Sequence, residues 1–122
     1  MAVHLELGRR GENLAKTHLE NAGYEILDEN WTHGKAEVDL IAYKDKVIIF
    51  AEVKTRTGNS FGEPEDFVDA RKQKLLVSAA DEYIYLMDHQ GDVRFDIISI
   101  LFDKQANYTL KHIEDAFWPH AT

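Results

Sequence analysis

Apolar positions recur along this chain with two distinct periods. Gly11, Leu14, Ala15, Leu19 and Ala22 fall at helical spacing, and Gly23 stands where a left-handed residue stops a helix, which predicts a first helix over Gly8 to Ala22. Tyr24 to Trp31 reads as a short strand around Ile26 and Leu27, and THGK at 32–35 as a loop. Two further strands follow, Ala36 to Tyr43 and Val47 to Arg56, joined around Lys44, Asp45 and Lys46.

Beyond them, TGNSFGEPE from Thr57 to Glu65 has the composition of an irregular loop. Asp69 is placed to cap a second helix whose Leu75, Leu76, Ala79, Ala80, Tyr83, Ile84 and Met87 form one apolar stripe. Gly91 and Asp92 predict a turn before VRFDIISILF, an almost continuous apolar run typical of a strand covered on both faces. Tyr108 to Ile113 predicts a last strand, with Ala116, Phe117 and Trp118 packing behind it. The order α, β, β, β, α, β, β predicts one α/β domain over residues 1–122, a mixed sheet flanked by helices.

The central hairpin, EVDLIAYKDKVIIFAEVKTR, carries charges where a core pair of strands should be apolar. Alternation places Glu52, Lys54 and Arg56 on one face with Ile48 and Phe50, and Glu37, Asp39, Ile41 and Tyr43 together on the preceding strand. A two- or four-residue connection would set Asp39 opposite Phe50 or Glu52 respectively, on the face of Glu52 and Lys54. A three-residue connection without a bulge would put Asp39 on the other face.

In the even registers two carboxylates meet beside an ammonium, and burying an unpaired ion costs roughly several kcal/mol. Two arrangements offset that: a salt bridge from Lys54, or a divalent cation on both carboxylates, whose hard oxygens suit magnesium or manganese. A carboxylate on one strand followed by E-x-K on the next is the pattern a metal-dependent phosphodiesterase needs. The acids hold the ion, while the lysine orients the attacking water and counters developing phosphate charge.

The formal net charge of −8 argues against a protein that coats nucleic acid by bulk electrostatics. The charge is uneven: residues 81–122 hold eight acids and three bases, whereas residues 1–80 hold fourteen and eleven. Arg9, Arg10, Arg56, Lys72 and Lys74 are therefore candidates for contacts to a phosphate backbone, with solvated surface as the plainer role for each. The chain has no cysteine, which removes disulfides and thiolate metal sites. MAVHLELGRR lacks a signal-type run and nothing approaches the roughly 18 apolar residues of a membrane span. A cytoplasmic protein without a membrane partner is expected.

Six motifs together resemble the YraN-type family of small bacterial proteins over nearly the whole chain. They are G-R-R-G-E at 8–12, E-V-D-L-I-A at 37–42, F-A-E-V-K-T-R at 50–56, K-Q-K-L at 72–75, R-F-D-I-I at 94–98 and H-I-E-D-A-F at 112–117. The resemblance implies a restriction-endonuclease-like fold and an endonuclease of the PD-(D/E)xK superfamily, related to archaeal Holliday-junction resolvases. It implies Asp39 and Glu52 as ligands of Mg2+ or Mn2+, Lys54 as the water-positioning base, and Glu12 on the first helix as a further acid at the metal. By analogy the partner is DNA, branched DNA included, and the active form a homodimer, since two strands need two cuts. One departure is Ala36, where family members commonly carry glycine.

Other chemistries fit less well. His4, His18, His33, His89, His112 and His120 show no metal-helix spacing, and no phosphate-binding glycine loop is present. Glu37 reads as a neighbour of Asp39, and Asp96 either joins the acidic site or pairs with Arg94. A domain of the same fold that binds nucleic acid or protein without turnover is the alternative function.

Overall fold

Asp45 and Lys46 both adopt left-handed backbone angles, φ 51° and 68°, the pair a two-residue hairpin turn requires. This turn joins β2 (Ala36–Lys44) to β3 (Val47–Thr57), the centre of the protein. The computed structural model describes residues 2–58 and 68–117, with side chains from residue 6 onward. Around the hairpin stand α1 (Ala2–Asn21), β1 (Glu25–His33), α2 (Ala70–Met87), β4 (Asp92–Phe102) and β5 (Tyr108–Ile113).

The strands form one sheet in the order β1-β2-β3-β4-β5. All neighbours run antiparallel except β3 and β4, which are parallel and connected through α2, as parallel strands require a long crossover. The mixed α/β architecture and element order expected from the sequence are therefore present. Among the described residues no helix is long and apolar enough to cross a membrane.

The helices cover opposite faces. Leu76, Ala79, Ala80 and Tyr83 of α2 pack on Ile48, Phe50, Phe95 and Ile97. Ala15 and Leu19 of α1 pack on Leu40, Ile49, Ile98 and Phe102. Alternate residues of β4 thus enter both layers, which explains its unbroken apolar run. Phe117 stacks on Phe95 at 5.3 Å, and the Ala116 N–H donates to the Phe95 carbonyl.

Several boundaries differ from expectation. The first helix begins at Ala2 and not at Gly8, because Leu7, one heptad before Leu14, extends the packed stripe across the glycine. The THGK loop shrinks to a turn at Gly34 and Lys35, with His33 paired to Ala36 and Gly34 at φ 59°. Met87 is half exposed at the end of α2 and lies outside the buried stripe. The Asp69 cap is present, its carboxylate accepting the Lys72 N–H at 2.9 Å. Most of the loop expected over 57–65, and the packing of Trp118, lie outside the described residues.

Candidate functional site

The β2–β3 ladder runs from Lys44↔Val47 to Leu40↔Ala51 and extends no further. This two-residue turn puts Asp39 next in line to Glu52, not to Phe50 as the expected registers assign for a connection of that length. Asp39 also stands at a break in alternation. Val38 and Ile41 both pack on the α2 side, whereas Leu40 and Ala42 pack on the α1 side. On β1 the facing position is Asn30, left-handed at φ 50°, between the pairs Glu29↔Leu40 and Trp31↔Val38. Past Leu40 the β2–β3 pairing ends and the hairpin opens.

The opening is where the charges gather. Asp39 Oδ2 accepts the Val53 N–H at 2.8 Å, satisfying a main-chain donor that the ended ladder would leave without a β2 partner. Glu52 is 5 % exposed. Its Oε1 contacts the Lys72 ammonium from α2, with the Lys54 ammonium 3.7 Å away. Burial, then the charge of Glu52, push the Asp39 carboxyl up to about 7, with Glu12 and Glu37 adding to the rise against the Val53 hydrogen bond. The Lys72 ammonium is opposed by burial, yet Glu52 and then Asp39 hold its pKa above the usual lysine value.

Glu12 comes from the other layer. A Cβ on the preceding residue, Gly11, would lie 2.0 Å from Thr55 Oγ1, so only glycine lets α1 approach β3 this closely. That contact brings the Glu12 charge within reach of Asp39. Of the expected site residues, Asp39, Glu52 and Lys54 are thus together, Glu12 acts on Asp39 through its charge, and Arg56 stands further along β3.

The other candidate cations are dispersed. Arg9 and Lys74 are exposed, and the Arg10 guanidinium lies over the Phe102 ring at 5.0 Å. Lys72 is the residue whose position sequence reasoning missed, because a contact across twenty residues leaves no local signature. Beside it, a cleft of about 350 Å³ is lined by Lys35, Glu37, Arg71, Lys72 and Leu75.

Asp96 belongs to a separate cluster. It is fully buried and receives both Arg94 Nε and Nη2 at 2.8 Å, the Asp115 N–H at 3.0 Å, and the His112 ring at 2.8 Å. His112 in turn contacts His18 of α1 at 3.0 Å. Burial opposes its charge, but these donors hold the Asp96 carboxyl below the usual range. Asp96 pairs with Arg94, one of the two outcomes expected, and the histidine chain had no sequence signal.

Asp39 and Glu52 offer hard oxygen donors beside one another, which fits a magnesium-like ion because such ions need one or two protein carboxylates plus water and phosphate oxygens. Among the described residues no group of three or more His, Cys, Asp or Glu stands ready to hold a metal. Small ligands would have to complete the shell.

This arrangement is carried by a chain with close relatives. The sequence model described as "Uncharacterised protein family UPF0102" matches residues 11–100, which span Glu12, both hairpin acids, Lys54 and Lys72. UPF0102 protein FP2501 of Flavobacterium psychrophilum is 44% identical over 118 residues, covering 97% of this chain and 98% of its own. A UPF0102 protein of Bacteroides thetaiotaomicron is 44% identical over 119 residues with 98% of each chain covered, and one from Chlorobium chlorochromatii is 41% identical over 118, covering 93% and 92%. Matched along nearly its full length, in agreement with the family its motifs resemble, the chain belongs to UPF0102.

Proposed function

We propose that this protein is a metal-dependent endonuclease of restriction-endonuclease-like fold that hydrolyses DNA phosphodiesters. The observation that carries the reading is the convergence of Asp39, Glu52 and Lys54 at the mouth of the opened hairpin. Asp39 and Glu52 are the ligands for Mg2+ or Mn2+, with Glu12 as a further acid. When bound, the ion would supply Lewis-acid stabilisation of phosphate charge and a more acidic water. Lys54 orients that water and faces the developing charge. Arg56, Arg9, Arg10 and Lys74 are the candidate contacts to the DNA backbone, which needs only charge at the right place.

Preference for branched DNA and a homodimeric active form belong to the same proposal by analogy with the resolvases it resembles, and a cytoplasmic setting belongs to it on the reading of the sequence. The test is nicking of branched and flapped DNA with Mg2+ or Mn2+. Lys54→Ala should reduce cleavage to background while leaving the circular dichroism spectrum unchanged. Cleavage undiminished by that change overturns the assignment.

A second reading, a nucleic-acid-binding module without turnover, is favoured by the Lys72 ammonium, which already neutralises Glu52. DNA binding indifferent to divalent ions, with no cleavage of any branched substrate, would select it.

A further inference from the structure

Glu52 Oε1 carries two ammonium groups, Lys72 in contact and Lys54 at 3.7 Å. Lys72 also feels the charge of Asp39, so its ammonium lies in the field of both hairpin acids. An ion bridging Asp39 and Glu52 would draw on the same carboxylate that Lys72 neutralises, so the two cations compete for its charge. On its other side Lys72 lines the cleft that Lys35 and Arg71 also line, and its side chain is 34% exposed, so it can leave Glu52 without unfolding α2.

We propose that Lys72 is an exchangeable internal cation: it neutralises Glu52 until a divalent ion takes over that carboxylate, and its ammonium then turns into the Lys35–Arg71 cleft to hold a phosphate of the nucleic-acid backbone. The proposal rests on reading Asp39 and Glu52 as metal ligands. It makes Lys72 a positioning residue that links metal entry to substrate binding, a different role from a fixed surface contact. No bond is made or broken in the exchange; one cation replaces another on a carboxylate.

Calorimetric titration of the full chain with Mn2+ tests the first half. Lys72→Met should bind Mn2+ roughly fivefold more tightly than the unaltered protein, the counterpart of an ion pair of about 1 kcal/mol. Lys72→Gln should behave alike, and Lys74→Met, exposed two residues further along α2, should change affinity by less than about twofold. Asp39→Asn should abolish binding. DNA binding tests the second half: with Ca2+ present, Lys72→Met should reduce the slope of log affinity against log salt by about one, and without Ca2+ it should not.

If the unaltered protein binds no Mn2+, the metal centre and the exchange fall together. If it binds Mn2+ but Lys72→Met and Lys72→Gln match it, the exchange is overturned and the metal centre stands. Equal tightening in the Lys72 and Lys74 variants reduces the effect to general electrostatics and also overturns the exchange.

Discussion

Asp39 Oδ2 and the Val53 N–H are joined at 2.8 Å, a side chain of β2 bonded to the main chain of β3 just past the last ladder pair. This bond ends the hairpin's regular pairing without leaving the Val53 donor unsatisfied. It also fixes the carboxylate beside Glu52. The same residue therefore closes the sheet and begins the site.

Asp39 should make the metal-free protein less stable as pH rises. Its folded value of about 7 lies above the roughly 3.9 of an unfolded aspartate, so between those values the folded state holds a proton that the unfolded chain has lost. The stability this gives is full below about pH 4 and lost as pH rises through about 7. Urea unfolding in chelator should show Asp39→Asn gaining on the unaltered protein across that window. A difference independent of pH would contradict the raised value.

Gly11→Ala should weaken the seat of α1. The new methyl meets Thr55 Oγ1 at 2.0 Å, and with Thr55 Cβ at 3.2 Å and Cγ2 at 3.3 Å, rotating the hydroxyl away does not clear the space. Overpacking of this kind costs about 1–3 kcal/mol, read from chemical denaturation. Thr55→Ala in the same chain should recover part of the loss, and strict additivity of the two changes would refute the contact.

Much of this architecture was legible because its signals are local. Asp69 three residues before Lys72, the period-two hairpin and the stripe from Leu76 to Tyr83 all report on near neighbours, and all appear in the structure. Parity alone put Glu52 and Lys54 on one face, and put Asp39 with them only for an even connection between the strands. Parity could not show that alternation breaks at Asp39, where a left-handed Asn30 of another strand stands opposite. Lys72 on Glu52 and His112 between Asp96 and His18 are products of tertiary packing, which no spacing along the chain encodes.

Asp96→Ala should be the most damaging single change outside the candidate site. It removes the acceptor of Arg94, His112 and the Asp115 N–H at once and leaves the Arg94 guanidinium to the exposed Glu114 carboxylate at 3.1 Å and the Tyr24 hydroxyl at 2.6 Å. Breaking a buried pair in this way costs about 3–5 kcal/mol. Because the folded carboxyl is held below its ordinary value, its contribution is present above roughly pH 4 and lost as pH falls further. Unfolding curves of the variant and the unaltered protein should therefore be well separated at neutral pH and draw together at low pH.

Glu12 and Glu37 both raise the Asp39 carboxyl, but they reach it differently. Glu37 is an exposed neighbour two residues away on β2, whereas Glu12 is brought in by the buried Gly11–Thr55 contact from the opposite layer. If Glu12 serves the metal, Glu12→Gln should weaken Mn2+ binding by about 10–100-fold, the usual cost of losing a supporting group at a metal site. Glu37→Gln, which removes only solvated charge, should change it by less than about threefold. Both substitutions take negative charge from Asp39, so both should lower the midpoint of its titration, followed by carboxyl carbon NMR. Equal effects on Mn2+ affinity would leave Glu12 as background charge and reduce the centre to the two hairpin acids.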